Sequence, residues 1–171
     1  MGEHIRNPET RLVAEYLAQE IYPNWYRQRQ PLGPALPGLV EEMGEARALA
    51  VSRPWRMEVD AVAVEDGRLV LIEAKVFKIV DGMAKLPLYK SLVPATPELT
   101  EHRSLPIVMR LVAPWASESM EIMARAAGVE VVVYSPAWIR DYVAQYHNYW
   151  TAEYRQAREE KMRLRRALGV E

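Results

Sequence analysis

The sequence predicts an α/β protein, an α+β mixed sheet that is covered by helices on both faces. Three observations support this fold class. Helical and strand-like patterns alternate along the chain, which is typical of a sheet packed against helices. The pair Asp66-Gly67 separates two apolar runs, which is a strong signal for a β-hairpin. The 171 residues are enough for one domain with a real core, and 50% of them are hydrophobic.

The N-terminal half of the chain contains a helix followed by strands. Asn7 is a suitable N-cap and Pro8 suits the first helical position, and apolar residues then recur at helical spacing. Prolines at positions 34 and 37 make the next region the least regular. The elements predicted here are a helix over 8–21, a strand over 24–31, a short helix near 38–49 and two strands over 57–65 and 68–77.

The C-terminal half continues the alternation. Pro94 ends one predicted helix, Ser117 caps the next and Gly128 closes it. The elements predicted here are a helix over 80–93, a strand over 106–113, a helix over 117–127, a strand over 129–134 and a helix from 138 to the end. We therefore predict a domain over residues 1–138, and a helical extension over 139–171 that packs on it or projects from it.

Composition excludes several kinds of site. The chain has no cysteine, so disulfides, thiolate nucleophiles, zinc ribbons and iron–sulfur clusters are excluded. The three histidines are too far apart in sequence to form a local zinc motif. We therefore expect any metal to be a hard cation held by carboxylate oxygens.

The charge and hydropathy patterns bear on partners and location. The formal net charge is −1, so nucleic acid would have to be bound by local basic patches. No apolar run approaches the roughly 18 residues that span a bilayer, and the N-terminus lacks the apolar stretch of a signal peptide. We expect a cytoplasmic protein without a membrane partner.

The hairpin sets two acids side by side. If Asp66 and Gly67 form the two-residue loop, Asp60 lies opposite Glu73, and Glu73 shares a face with Lys75 because strands have a period of two. Like charges in direct opposition destabilise a sheet, and a divalent cation between them would remove the repulsion. The same register places Glu58 opposite Lys75, so a structural ion pair is the alternative explanation of this lysine.

These residues resemble the motif of the PD-(D/E)XK nuclease superfamily, in particular its small resolvase-like and phage-borne members. The matching pattern is Val59-Asp60, then the hairpin, then Glu73-Ala74-Lys75 at the end of an apolar strand. Valine stands where the motif has proline. The resemblance covers most of residues 8–135, and it implies a restriction-endonuclease-like core of a helix, three strands, a helix and a further strand.

The resemblance also implies a set of metal ligands. Asp60, Glu73, the backbone carbonyl of Ala74 and an acid of the first helix would hold Mg²⁺ or Mn²⁺, as hard cations prefer oxygen ligands. Glu9 and Glu20 compete for the last position, because both lie on the apolar side of the predicted helix. We favour Glu9, which the motif places at the helix start.

The activity that the resemblance implies is hydrolysis of a phosphodiester bond, with DNA as the expected partner. Lys75 would act on the attacking water, and Lys85 would hold a substrate phosphate from the place where relatives have glutamine. The expected nucleic-acid contacts are Arg27, Arg29, Arg53, Arg56 and Lys85. The sequence leaves the oligomeric state open, and a homodimer is one candidate because many relatives act as pairs. The alternative is an inactive module of the same fold that binds nucleic acid or serves in assembly.

Overall fold

The computed structural model describes residues 7–21, 23, 25–147 and 152–167, and the chain divides into two compact units, Met1–Tyr134 and Ser135–Glu171. The helices of the first unit are α1 (Pro8–Tyr16), α2 (Leu39–Met43), α3 (Glu45–Ser52), α4 (Ile79–Leu92) and α5 (Glu118–Ala126). Its strands are β1 (Trp25–Leu32), β2 (Met57–Glu65), β3 (Arg68–Ala74), β4 (Ile107–Ala113) and β5 (Val129–Val133).

The five strands form one mixed sheet in the order β1-β2-β3-β4-β5. β1 pairs antiparallel with β2, and β2 pairs antiparallel with β3, whereas β3, β4 and β5 are parallel to one another. Helix α4 connects β3 to β4, and α5 connects β4 to β5, as parallel neighbours require a crossover. The predicted α/β fold, a mixed sheet with a hairpin and flanking helices, is confirmed.

The hairpin between β2 and β3 has the register that the sequence predicts. Pairing runs from Glu65 and Arg68 at the turn to Ala61 and Ile72. Asp66 and Gly67 have φ angles of 49° and 70°, as the tight type I′ turn requires. The loop therefore sets which residues of the two strands face each other.

Helices cover both faces of β3. Leu69 and Leu71 lie in one buried cluster with Leu86 of α4. Val70 and Ile72 alternate with them and point to the other face, where α1 packs against β3. The side chains of both sets are fully buried, so the end of β3 lies between the two helices.

The boundaries differ from the predictions where local geometry changes. The α-helical part of the first helix ends at Tyr16, and a π-helical turn continues it over Leu17–Ile21. The region predicted as one short helix contains α2 and α3, because Gly44 between them has a φ of 79° that no α-helix includes.

The second unit contains two described helices, α6 (Ala137–His147) and α7 (Ala152–Ala167). The sequence predicts one helix from 138 to the end, and residues 148–151 between the two helices lie outside the described part. Lys161, Arg163, Arg165 and Arg166 are exposed along α7, while the side chains of Arg155 and Arg158 lie outside the described part. Among the described residues, no helix is both long enough and apolar enough to cross a membrane.

Candidate active site

Lys75 lies at the centre of an acidic cluster just beyond the end of β3. Its Nζ atom is 3.0 Å from Oε2 of Glu9, 3.1 Å from Oε1 of Glu73 and 3.9 Å from Oδ2 of Asp60. It also donates a hydrogen bond of 2.9 Å to the carbonyl of Ala74. One ammonium group is thus surrounded by three carboxylates and a backbone oxygen, and all five residues were singled out from the sequence.

Helix α1 brings Glu9 to the sheet. The side chain of Asn7 accepts a hydrogen bond from the backbone N–H of Thr10 and so caps the helix, which places Glu9 in the first turn. Oε1 of Glu9 also accepts the backbone N–H of Val76 at 3.4 Å. Glu9 therefore bridges the start of α1 and the end of β3.

The other candidate of the first helix, Glu20, lies elsewhere. It lies in the π-helical turn, and its side chain is exposed. Its negative charge helps to raise the pKa of Tyr134. Of the two acids that the sequence left in competition, Glu9 is the one that the fold places beside Lys75.

Asp60 lies where the two strands of the hairpin stop pairing. The last pair is Ala61 with Ile72, so the predicted neighbours Asp60 and Glu73 come one step beyond the ladder. The backbone N–H of Ala74 would continue that ladder, and it donates instead to Oδ2 of Asp60 at 2.8 Å. This bond fixes the Asp60 carboxylate next to the backbone of the E-x-K segment.

The pairing of β2 with β1 is interrupted at the same level. Gln28 and Gln30 pair with β2, but the described pairs pass over Arg29 and Asp60. Arg29 has a φ of 51°, a left-handed conformation that is uncommon for residues other than glycine. The described strand pairing is therefore interrupted at Asp60 towards both neighbouring strands, and backbone strain of this kind clusters at functional sites.

Burial makes the two acids of the sheet hard to ionise. Burial raises the pKa of Asp60, and the Ala74 N–H and Lys75 only partly counter this effect. Burial also raises the pKa of Glu73, and the nearby charge of Asp60 raises it further. Burial by itself would lower the pKa of Lys75, but Glu73 and Asp60 outweigh it and raise that pKa. The lysine is therefore held as a cation, and the two acids beside it are harder to ionise than they would be in water.

The oxygen atoms of the cluster suit a hard cation in their chemistry. Oε2 of Glu73 is buried without a hydrogen-bond partner among the described residues, and such orphaned acceptors are rare. The other available donors are the carboxylates of Asp60 and Glu9 and the carbonyl of Ala74, which are the ligand types that Mg²⁺ binds. In the described part of the chain, however, no three acidic or histidine side chains are spaced for a metal as they stand. Lys75 occupies the centre of the donor set.

Helix α4 adds a second lysine to the cluster. Nζ of Lys85 is 3.7 Å from Oε1 of Glu73, and its side chain is 45% exposed, so it reaches the buried acids from the solvent side. Tyr89, one turn further along, is 2% exposed and packs in the core. Gly82, which sequence reasoning missed, lies against the side chains of Glu73 and Lys75. The signal that could have found it is a glycine inside a predicted helix, which often marks close packing against a neighbouring element.

Glu58 does not pair with Lys75, as the alternative explanation of that lysine required. Its two oxygens instead bind Nε of Arg29 at 2.8 Å and Nη2 of Arg53 at 3.2 Å. Arg53 also donates to the backbone carbonyl of Arg29 at 3.2 Å. Glu58 thus forms ion pairs with Arg29 and Arg53, two of the residues predicted to contact nucleic acid.

The other two predicted contacts have different surroundings. The side chain of Arg56 is 4% exposed and makes two hydrogen bonds of 2.6 and 2.7 Å with Glu98, so its guanidinium already has an anionic partner. Arg27 is exposed, with its guanidinium 5.6 Å from the centre of the Trp25 ring. Arg27 is therefore accessible to a ligand, whereas Arg56 supports the structure.

Comparisons with known proteins give distant structural likenesses. No family model matches the chain, and no curated protein matches it. A crystal structure of a repair endonuclease from Pyrococcus abyssi is 17% identical over 79% of this chain and 50% of its own, with a TM-score of 0.45. A crystal structure of protein VC1899 from Vibrio cholerae is 17% identical over 77% of this chain and 29% of its own, with a TM-score of 0.39. The chain spans half or less of the length of these proteins.

Proposed function

We propose that the protein is a metal-dependent nuclease that hydrolyses phosphodiester bonds of DNA. The observation that carries the proposal is the cluster around Lys75, with Asp60 and Glu73 beside it and Glu9 brought from a distant helix. Buried acids with raised pKa values around a lysine, where the strand pairing is interrupted, are typical of a catalytic centre. The PD-(D/E)XK resemblance of the same residues supports this reading.

The oxygen atoms of the cluster are assigned to the metal ion. Asp60, Glu73, Glu9 and the carbonyl of Ala74 would hold Mg²⁺ or Mn²⁺. The bound ion would supply Lewis-acid activation of water and neutralise charge on the phosphate. The hydrogen bond from Ala74 N–H keeps the Asp60 carboxylate oriented towards the cluster.

The two lysines serve different stages of the reaction. Lys75, which already contacts the acids through Nζ, orients the attacking water and stabilises the negative charge that develops on the phosphoryl oxygens. Lys85 is half exposed at the mouth of the cluster and binds a substrate phosphate as a compact point charge.

Cleavage of a panel of DNA structures in Mg²⁺ and in Mn²⁺ tests the proposal. Wild type is expected to cut at least one substrate, and Lys75→Gln is expected to lower the cleavage rate by roughly 100-fold or more. Lys90→Gln is the matched control, because Lys90 is exposed near the end of α4. Circular dichroism confirms that each variant is folded. Equal cutting by wild type and Lys75→Gln would reject the assignment of Lys75.

A second candidate is an inactive module of the same fold that binds nucleic acid. The observation that favours it is the position of Lys75, whose ammonium group lies among the acids and offsets part of their negative charge without an ion. Calorimetric titration with Mg²⁺ separates the two candidates. Heat of binding that disappears in Asp60→Asn supports the nuclease, and the lack of both binding and cleavage in wild type supports the inactive module.

A further inference from the structure

A groove of about 470 Å³ lies along the open edge of the sheet. One wall is the segment 27–31 of β1, the edge strand. The other wall is a face of α3 that carries Ala46, Leu49 and Ala50, which helical spacing places together. Arg53 also lines the groove. It thus combines an apolar wall with a wall of cations.

The charges of the groove favour an anion. Arg56 and Glu98 neutralise each other in a bidentate pair. Arg27, Arg29 and Arg53 remain, and the acid that binds two of them is Glu58. The groove therefore carries an excess of positive charge on guanidinium groups, which bind phosphate and stack on flat rings.

The edge of β1 is not available to a peptide strand in this region. Arg53 donates to the carbonyl of Arg29 at 3.2 Å, and Arg56 donates to the carbonyl of Pro31 at 3.2 Å. These bonds occupy the acceptors that an added strand would need. The ligand is therefore one that uses the side chains of the groove.

The groove adjoins the candidate active site through Arg29. This residue lines the groove, and the register of β1 on β2 places it beside Asp60. A nucleic-acid strand with one phosphodiester at Asp60 can therefore place a neighbouring nucleotide in the groove.

We propose that this groove binds an unpaired nucleotide next to the scissile phosphodiester, so that single-stranded nucleic acid is the preferred ligand. The base lies against Ala46, Leu49 and Ala50, and its phosphate lies between Arg27 and Arg29. A base within a duplex is paired and stacked, and it can enter such a groove only at the cost of unstacking. The inference rests on the proposed function for the position of the scissile bond.

Fluorescence anisotropy in EDTA tests binding without cleavage. The probes are a fluorescein-labelled oligothymidylate and a blunt hairpin duplex of the same length. Ala50→Glu places bulk and negative charge in the groove at an exposed helical position, and Ala126→Glu makes the same change on the exposed surface of α5. Ala50→Glu is expected to weaken oligothymidylate binding by about tenfold through lost base contact. Duplex binding is expected to change equally in the two variants.

The salt dependence tests the phosphate contact. Arg29→Gln is expected to reduce the slope of log affinity against log salt by about 0.7 for the single strand. Arg125→Gln, an exposed residue of α5, is the matched control and should leave that slope unchanged. Thermal melts show that both variants are folded.

The outcomes separate this inference from the proposed function. If wild type cleaves DNA and Ala50→Glu binds both probes as Ala126→Glu does, nucleotide binding in the groove is rejected. The proposed nuclease activity is then retained. If wild type does not cleave DNA but oligothymidylate binding depends on Ala50 and Arg29, the proposed hydrolysis is rejected. Nucleotide binding in the groove is then retained. Failure of wild type to bind oligothymidylate more tightly than the duplex overturns the inference.

Discussion

A Cβ atom on Gly82 would lie 2.7 Å from Cγ of Lys75, closer than non-bonded carbon atoms approach in proteins. The same atom would lie 2.8 Å from Cδ1 of Leu111. Gly82 therefore allows α4 to pack directly on the cluster, and any side chain there must move either the helix or the lysine.

Gly82→Ala is expected to lower the free energy of unfolding by about 1 kcal/mol, since overpacking of about 1–3 kcal/mol outweighs the gain of about 1 kcal/mol in helix propensity. It should also lower kcat of DNA cleavage more than it raises KM, because Lys75 is displaced. Denaturant titration and steady-state kinetics measure the two effects. Ala126→Ser adds one atom on an exposed helical surface as the control. An unchanged kcat would show that Lys75 tolerates the shift.

Glu73→Gln is expected to stabilise the protein in the absence of divalent cations by about 1 kcal/mol, or a Tm increase of roughly 2–4 °C. The reason is that burial and Asp60 raise the pKa of Glu73, so the folded state resists its ionisation. Thermal melts in EDTA at neutral pH measure the difference. Glu101→Gln, at an exposed position, is the control and should leave Tm nearly unchanged.

The gain in stability of Glu73→Gln over wild type is expected to decrease as the pH falls. A raised pKa means that the folded state binds the Glu73 proton more tightly than the unfolded state, whose value is near 4.5. The variant should therefore be most favoured above the folded pKa of Glu73. As the pH falls through that pKa, wild type becomes protonated and the difference in Tm shrinks towards zero. A difference that grew as the pH fell would contradict the raised pKa.

Divalent cations are expected to raise the Tm of wild type, and this gain should weaken as the pH falls. Protons compete with the ion for Asp60 and Glu73, and burial raises the pKa of both carboxyls. Melts at increasing Mg²⁺ and at several pH values measure the gain. Asp60→Asn should abolish it. A gain that persists in Asp60→Asn would place the cation elsewhere.

Arg56→Leu is expected to cost about 2–3 kcal/mol of stability, because it leaves the Glu98 carboxylate without its partner in a partly buried site. Arg27→Gln, at an exposed position on the same groove, should change stability by less than about 0.5 kcal/mol. Urea titrations compare the two. Equal stability of both variants would show that the pair of Arg56 with Glu98 does not stabilise the fold.

Local rules in the sequence were sufficient for much of the fold. A two-residue Asp-Gly turn sets the register of the strands that it joins, and side chains alternate along each strand, so the nearness of Asp60, Glu73 and Lys75 follows from about fifteen consecutive residues. The order of helices and strands likewise follows from hydrophobic periodicity and from capping residues such as Asn7.

The tertiary structure decided what depends on contacts between distant segments. Glu9 and Lys75 are 66 residues apart, and the packing of α1 on β3 brings them into contact. The motif favoured Glu9 over Glu20, but no local pattern in the sequence shows that Glu9 reaches Lys75. The interruption of the strand pairing at Asp60 and the approach of Gly82 to Lys75 also arise from the way whole elements pack. Short-range patterns carry backbone preferences, whereas the partner of a charged side chain is set by which elements share a face.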